Sequence, residues 1–324
     1  MNKKLSTIIR LVISLGLLSF LVYLMRGDLG QIAEILIRCN YNYIFLAISL
    51  FFVTSFMLSY RLKIVFEGEN LAISFWESLQ LTFMGYFFNN FMPSAVGGDI
   101  VKAHLSVKDK ANRIKSYASV MMDRIIGLYS FVLLAAFALL VDKGTINIKS
   151  IKIAVFALVF GGILIFVIII NEKVAHLAEK FFLKIKMGNI GEKLDSVYKI
   201  IHDYRNKLDV VGKSVLVSLV SQSIYFYMIY LFFRSLDSNM PIGIVFLVMP
   251  LVTFMAMIPS LGGLGVREGA IVALFSPICG KENAFAASML LLLGLFFISF
   301  VGGIIYLKWE IFNKKQINEA NTES

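Results

Sequence analysis

Cysteine, histidine and charged residues are scarce in this sequence, and their scarcity excludes several classes of protein. Two cysteines and three histidines occur in 324 residues, and charged residues make up 16%. So few cysteines exclude a disulfide framework, and scattered histidines exclude a recognisable metal site. Zinc-hydrolase, nucleophile-elbow and dinucleotide-binding motifs are also missing. We therefore predict no metal, no cofactor and no catalytic residue. The sequence leaves open whether Cys39 and Cys279 pair.

Apolar residues, in contrast, dominate the chain and occur in long blocks. Hydrophobic residues make up 58% of the sequence, against roughly 45–50% in a soluble domain. The blocks lie at about 8–25, 43–60, 74–92, 117–141, 151–170, 213–236, 241–258 and 284–307. Most approach the roughly 20 residues that a membrane-spanning helix needs, and none alternates like a barrel strand. The fold class is therefore an all-α integral membrane protein. Its net charge of +10 is typical of cytoplasmic loops beside anionic lipids, so we expect no nucleic-acid partner.

The distribution of basic residues predicts the topology. Lys3, Lys4 and Arg10 place the N-terminus in the cytoplasm. A full crossing by block 74–92 would put the basic stretch 102–115 outside, so we predict a re-entrant hairpin over 74–105 instead. A second break at Pro259 predicts another hairpin over 241–280. The prediction is about six transmembrane helices plus two re-entrant hairpins, eight membrane segments in all, in the plasma membrane with both termini cytoplasmic.

The two predicted hairpins resemble each other and divide the chain into two halves. Each has a Pro-Ser break, then glycines, then a helix that bears an acid, and they enter from opposite faces. Such interrupted segments in an inverted repeat indicate a transporter's midplane site. The chain is predicted as one polytopic domain, 1–324, and its parts are the half 1–170, amphipathic cytoplasmic helices in 171–212, the half 213–308 and a polar cytoplasmic tail, 309–324. The amphipathic stripe from Leu194 to Val211 predicts one continuous helix.

Polar and charged residues inside the apolar blocks are the candidate functional residues. Each ionisable group there costs about 2.5–3.5 kcal/mol, so it needs a reason. A glycine-rich break before a helix offers free N–H groups to an anion, and nearby cations strengthen that binding. The predicted substrate-binding residues are Asn89, Asn90, Pro93, Ser94, Gly97, Gly98, Asp99, Lys102, Asp123, Arg124, Pro259, Gly262, Gly263, Gly265, Arg267 and Glu268.

A structural role for these groups remains open. Asp99 and Lys102, at i,i+3 spacing, can face the same way and form an ion pair that holds the hairpin. Asp123 and Arg124 are adjacent, so they point apart and find partners on other segments. We expect Arg61 to extend its charged end to the membrane interface. The two asparagines could cap helix ends.

Three motifs in order resemble one family. They are the run from Asn90 through Pro93, Gly97, Gly98 and Asp99 to Lys102, the pair Asp123-Arg124, and the run from Pro259 through Gly263 and Gly265 to Glu268. Together they are similar to the membrane region of lysylphosphatidylglycerol synthases, the flippase-like domain family. The resemblance implies a membrane domain that translocates a charged phospholipid made by a soluble aminoacyltransferase domain. The family usually has an arginine at the position of Lys102, and the bidentate phosphate contact that an arginine makes is not available to a lysine.

Three classes of function stay open. The first is a flippase-like protein that moves a phospholipid or lipid-linked sugar between leaflets. The second is the membrane subunit of a lipid aminoacyl- or glycosyltransferase, with a separate soluble transferase as partner. The third is a scaffold without transport. Because no soluble catalytic domain is visible, an enzyme is not favoured. The partner implied is a membrane lipid, and a homodimer is compatible with the sequence.

Overall fold

The computed structural model describes residues 25–92, 97–107, 110–141, 149–170, 190–258, 260 and 262–322, and the single positions 16, 19, 22 and 23. Within these residues the protein is all-helical. The helices are α1 (Leu29–Ile37), α2 (Tyr41–Glu67), α3 (Phe75–Phe91), α4 (Gly97–Leu105), α5 (Arg113–Val141), α6 (Lys149–Ile170), α7 (Ile190–Asp203), α8 (Leu208–Ser235), α9 (Ile242–Met255), α10 (Val266–Cys279) and α11 (Lys281–Thr322).

Four helices are long and apolar enough to cross a membrane. They are α2, α5, α8 and, in α11, the stretch Lys281–Ile311. Large apolar side chains on these helices face outward, among them Phe45, Leu140 and Phe300, which are 75%, 86% and 67% exposed. Such a surface is stable in contact with lipid chains, whereas its exposure to water costs free energy. The prediction of an all-α membrane fold is confirmed. Most of the predicted first block, 8–25, lies outside the described residues.

Helices α2 and α8 form a long antiparallel pair at the centre of the molecule. The Asn40 amide, before α2, donates to the Ser235 carbonyl at the end of α8, over 2.8 Å. At the opposite end, the Tyr204 hydroxyl donates to the Val65 carbonyl over 2.9 Å. Burial raises the pKa of this phenol above its ordinary value, which widens the pH range over which Tyr204 stays a donor. The two contacts fix the register of the pair along its whole length.

The packing of α2–α5 is repeated by α8–α11. In both sets each helix packs on the next one along the chain, and the first helix also packs on the last. Across the sets, α5 packs on α9 and α11 packs on α3, which is the same contact with the sets exchanged. The chain therefore contains two four-helix units with matching internal contacts, although their sequences share only short motifs.

The stripe from Leu194 to Val211 is not one helix, and that prediction was wrong. Helix α7 ends at Asp203, a 3-10 turn spans Tyr204–Asn206, and Leu208 begins the membrane helix α8. The break occurs where the Tyr204 side chain is buried and where Lys207 Nζ reaches Glu69 Oε1 over 2.6 Å. These two contacts anchor the turn against the end of α2. Residues 171–189 of the same predicted region lie outside the described residues.

A close approach between α3 and α11 depends on Gly302. A Cβ atom on Gly302 would lie 2.0 Å from the Phe83 carbonyl oxygen, which is backbone and cannot rotate away. Overpacking costs typically about 1–3 kcal/mol, so we expect Gly302→Ala to lower the free energy of unfolding by that amount. The matched control is Gly269→Ala on α10, where no atom lies within 4 Å of the added methyl. Thermal unfolding in detergent measures both, and equal midpoints for the two variants would contradict the prediction.

Candidate functional site

Arg61 is buried in an ion pair, which corrects the expectation that it reaches the membrane interface. Its Nε and Nη2 atoms donate to the two carboxylate oxygens of Asp123 over 2.6 and 2.9 Å, and Nη1 donates to Ser218 Oγ over 2.8 Å. Arg61 is 6% exposed and Asp123 5%. A bidentate pair with a third hydrogen bond satisfies a guanidinium that water cannot reach. The contacts join α2, α5 and α8.

A second cluster places one carboxylate between two cations. Asp99 Oδ1 is 2.8 Å from Lys102 Nζ on the same helix, and Asp99 Oδ2 accepts a hydrogen bond from Arg124 Nη1 on α5. The side chains of Asp99, Lys102 and Arg124 are 13%, 14% and 25% exposed. The i,i+3 pair and the divergence of Asp123 from Arg124 are confirmed. We call Asp99, Lys102 and Arg124 the cationic trio, because two cations and one carboxylate carry a net charge of +1.

The first glycine-rich break brings α3 and α4 into backbone contact. The Gly98 amide donates to Asn89 Oδ1 over 2.8 Å, so Asn89 caps the start of α4 from the end of α3. A Cβ atom on Gly98 would lie 2.1 Å from the Gly85 carbonyl oxygen, and one on Gly97 would lie 2.4 Å from Met92 Cβ. Neither position has room for a side chain, so both require glycine. Pro93 and Ser94, also predicted at this break, lie outside the described residues.

The second break requires glycine for a different reason. Gly262, Gly263 and Gly265 have φ angles of 57°, 81° and 80°, a region that other residues seldom adopt. Glu268 stabilises the junction between this turn and α10, since Oε2 accepts from the Gly265 amide over 2.6 Å and Oε1 binds Arg267 Nη2 at 2.8 Å. This carboxylate is fully buried. Pro259 is the remaining predicted residue of this break and lies outside the described residues.

The two breaks meet in the folded chain. A Cβ atom on Gly262 would lie 2.8 Å from Asn90 Oδ1 and 3.0 Å from the Asn89 carbonyl oxygen. The end of α3 therefore touches the turn before α10, although 172 positions separate Asn90 from Gly262 (262 − 90). Asn89, Asn90, Gly98 and Gly262 are thus brought together. The cationic trio lies beside this contact, since Asp99 follows Gly98 directly.

Several residues of this region were missed by reasoning from sequence. Arg61 and Ser218 are two of them. Tyr86 and Tyr225 are two more: Tyr86 lies near the charges of Lys102, Arg61 and Asp123, and Tyr225 lies near Arg267. Phe51 packs against both tyrosine rings, with centroid distances of 6.2 and 6.3 Å. Tyrosines within apolar helices give no signal of such neighbours.

We expect Gly98→Ala to open the first break. The added methyl group cannot fit against the Gly85 carbonyl oxygen at 2.1 Å, so α4 must move away from α3 and the bond to Asn89 is lost. Hydrogen–deuterium exchange should then be faster at the first backbone amides of α4. Gly161→Ala on α6 is the matched control, because nothing lies within 4 Å of its added methyl. Unchanged exchange in α4 would show that the contact is not tight in solution.

Comparisons with known proteins agree with these features. The long apolar helices of the structure are those of a multi-pass membrane protein. Residues 7–303 match the model of the lysylphosphatidylglycerol synthase TM region, and the chain belongs to that family. The predicted family resemblance is therefore confirmed.

Two relatives cover most of the chain. A UPF0104 membrane protein of Pyrococcus horikoshii is 25% identical over 331 residues, which covers 92% of this chain and 96% of the relative. A UPF0104 membrane protein of Methanothermobacter thermautotrophicus is 21% identical and covers 82% of this chain and 84% of the relative. No solved structure matches the chain. The similarity therefore extends to whole membrane proteins of nearly the same length.

Proposed function

We propose that this protein moves an anionic lipid headgroup between membrane leaflets and binds it where the two glycine-rich breaks meet. The carrying observation is the cationic trio, in which Asp99 faces both Lys102 and Arg124. Lys102 and Arg124 are largely buried cations, and ammonium and guanidinium groups are the donors that bind phosphate oxygens by charge-assisted hydrogen bonds. A phosphodiester would supply such oxygens together with one negative charge. The ligand class that fits is a membrane lipid with a phosphate in its headgroup.

Short helices support the re-entrant path of the two breaks. Helix α4 has 9 residues and α10 has 14, so they extend about 14 and 21 Å at 1.5 Å per residue. Both lengths are below the roughly 30 Å of the hydrocarbon core. In our proposal α3–α4 and α9–α10 enter and return without crossing. The plasma membrane then holds eight segments, of which about six cross it.

The matching four-helix units support an inverted repeat. Helices α2 and α8 occupy equivalent places in the two units and run antiparallel. A two-fold axis that exchanges antiparallel helices lies perpendicular to them, which means in the plane of the membrane. Repeats of this kind place the substrate at their interface. We propose that the N- and C-termini are both cytoplasmic.

Transport then requires the two breaks to separate. With the Asn90–Gly262 contact closed, the headgroup path is closed; when the tips part on one side, a headgroup reaches the cationic trio. A ligand shifts the two arrangements only as far as it binds one of them more tightly. The buried Arg61–Asp123 pair holds α2, α5 and α8 fixed while the hairpins move. No ATP-binding motif occurs in the sequence, so we propose downhill or ion-coupled movement.

Reconstitution tests the proposed function. Liposomes with fluorescent phosphatidylglycerol are prepared with wild-type protein, with an Asp99→Asn, Arg124→Ala double variant, and without protein. Dithionite then reports lipid that reaches the outer leaflet. Of these three samples, we expect accelerated exchange only with the wild-type protein, because the double variant removes two of the three groups that form the site. Its net charge at the site stays at +1 through Lys102, so a loss of exchange would not be due to a change in net charge.

An exposed residue on α2 provides the matched control. Asn42→Ala, at an exposed position of α2, should exchange lipid like the wild type. Wild-type exchange no faster than in protein-free liposomes, with both phosphatidylglycerol and a lipid-linked sugar, would contradict transport. That result would favour a membrane subunit that serves a separate transferase. Equal exchange by the wild type and the double variant would contradict the proposed site.

A further inference from the structure

A cavity of about 300 Å³ lies beside the cationic trio and has no role in the site described above. It is bounded by the end of α2, the start of α3, the end of α4, the start of α5, and α11. Its volume falls at the lower end of the range for small-molecule sites, roughly 300–1,000 Å³. The polar residues that matter for its chemistry are Asn70, Glu77, Gln80, Asn112, Ser116 and Trp309. We call it the Trp309 cavity.

The chemistry of the Trp309 cavity fits hydroxyl groups better than an anion. Side-chain amides and hydroxyls both donate and accept hydrogen bonds, as sugar hydroxyls do. The only charged side chain among the described lining residues is Glu77, an acceptor that also binds the Ser74 amide over 2.7 Å. Trp309, whose ring stacks on the Tyr306 ring at a centroid distance of 6.3 Å, lines the cavity, and the C–H face of a pyranose packs on aromatic rings. A phosphate would meet a carboxylate in this cavity and would be repelled.

The cavity adjoins the cationic trio along the first hairpin. Leu105 lines it and lies three residues after Lys102 on α4, about 4.5 Å along the helix axis. Met84 also lines it and precedes Gly85, where a Cβ would lie 2.9 Å from Lys102 Cε. One ligand can therefore place a phosphate at the trio and the adjacent group of its headgroup in the cavity. In a glycosyl phosphate lipid, that adjacent group is the sugar ring.

We propose that the Trp309 cavity binds the pyranose ring of a lipid-linked sugar phosphate, and that such a lipid is the substrate. The proposal rests on the proposed function, since it assigns the phosphate of the same lipid to the cationic trio. A bare polyprenyl phosphate leaves the cavity without a partner for its amides. Phosphatidylglycerol carries hydroxyls but no ring that could stack on Trp309. The protein therefore selects for a sugar.

Intrinsic fluorescence can report binding in this cavity directly. The chain has two tryptophans, so Trp76→Phe leaves Trp309 as the sole reporter. The protein is purified in a detergent without a sugar headgroup and titrated with four probes. These are a short-chain polyprenyl-phosphoryl hexose, the same polyprenyl phosphate without sugar, phosphatidylglycerol, and a soluble hexose 1-phosphate. We expect a saturable change in Trp309 emission with the first probe, at an affinity at least about tenfold above that for the others.

Variants locate the sugar. The double variant Gln80→Ala, Asn112→Ala should lower the affinity for the polyprenyl-phosphoryl hexose by about tenfold and leave the affinity for the bare polyprenyl phosphate unchanged. Asn42→Ala should change neither affinity. Equal affinity for the two polyprenyl lipids would overturn the proposal without requiring any variant to fold. Equal affinity for the soluble hexose 1-phosphate would overturn the assignment to a lipid. An unchanged affinity in the Gln80, Asn112 variant would overturn the cavity as the sugar site.

The two proposals fail in different experiments. Binding in detergent needs no movement across a bilayer, so Trp309 can report a sugar even if liposomes show no exchange. That combination would support the sugar site and overturn only transport. Exchange of phosphatidylglycerol and of the polyprenyl-phosphoryl hexose at equal rates, with equal binding of both, would overturn the sugar site and leave transport intact.

Discussion

Asp123→Ala is expected to lower the free energy of unfolding by about 3–5 kcal/mol, the cost of breaking a buried ion pair from one side. Among the described residues, the variant would leave Arg61, which is 6% exposed, with the Ser218 hydroxyl as its remaining hydrogen-bond partner. Unfolding of the purified protein in mixed micelles with increasing dodecyl sulfate measures the change. The large effect follows from the uncompensated cation, since an intact buried pair by itself contributes little net stability.

Two further variants separate this explanation from a general effect of losing an acid. Arg61→Met with Asp123→Leu removes both charges and should recover most of the stability, because apolar side chains of similar size can replace a buried pair. Glu34→Ala breaks the exposed Glu34–Arg38 pair, whose side chains are 59% and 77% exposed. Its expected cost is below about 1 kcal/mol. An Asp123→Ala variant with the same free energy of unfolding as Glu34→Ala would show that the buried Arg61–Asp123 pair is not formed.

Lys102→Met is expected to reduce the initial rate of lipid exchange by about 10- to 100-fold. A charge-assisted hydrogen bond is worth about 1.5–3 kcal/mol, and the variant removes the one that Lys102 offers to a phosphate. Methionine keeps the apolar stem that packs against Gly85. Asp99 keeps its contact with Arg124, so the free energy of unfolding should not fall. The measurement pairs the liposome exchange assay with the unfolding titration.

Lys102→Arg is the matched control for this prediction. It keeps the charge and should keep exchange within a few-fold of the wild type, although a planar guanidinium binds phosphate with a different geometry. A Lys102→Met variant that exchanges lipid at the wild-type rate would remove Lys102 from the proposed binding site. Loss of exchange together with loss of stability would instead assign Lys102 a structural role.

Helical segments were the most predictable part of the fold. A bilayer selects long apolar helices, so block 117–141 marks α5 within four residues, and block 43–60 marks the start of α2 but ends seven residues before Glu67. The junction between α7 and α8 was less predictable. Its stripe of apolar residues continues through Tyr204, and only tertiary contacts of Tyr204 and Lys207 with the end of α2 break the helix there.

The site was predictable where its contacts are local and unpredictable where they are distant. The Asp99–Lys102 pair follows from i,i+3 spacing, and adjacent Asp123 and Arg124 must diverge on a helix. The partner of Asp123, in contrast, lies 62 positions away at Arg61, and the sequence gives no sign that an arginine at the edge of an apolar block is buried. The role of Glu268 carried a weak signal, since an acid three residues after a helix start is the pattern of an N-terminal cap.

The meeting of the two breaks was beyond sequence reasoning. The motifs indicated two similar hairpins but gave no distance between them. Contact between Asn90 and Gly262 depends on how α3 packs on α11, where Gly302 lies against Phe83, and on the turn between α9 and α10. These close approaches are visible only in the folded protein. The same holds for the Trp309 cavity, which five separate segments enclose.

The central claim is that lipid passes only when the two breaks separate, and a disulfide between them tests it most directly. Asn90→Cys with Gly262→Cys is made in a chain in which Cys39 and Cys279, both free thiols, are replaced by alanine. A Cβ at Gly262 would lie 3.2 Å from Asn90 Cα, so the two cysteines are close enough to bond once the turn adjusts to a side chain at this position, where φ is 57°. Lipid exchange in liposomes is followed by extraction of fluorescent lipid with albumin, which needs no reductant.

Oxidation should stop lipid exchange in the double-cysteine protein, and dithiothreitol should restore it. The Asn90→Cys and Gly262→Cys single variants, treated in the same way, should exchange lipid throughout, which would show that the strained side chain at position 262 does not by itself stop exchange. Lipid exchange at an unchanged rate after quantitative disulfide formation would contradict this mechanism, because the headgroup would then cross the membrane with the two breaks held together.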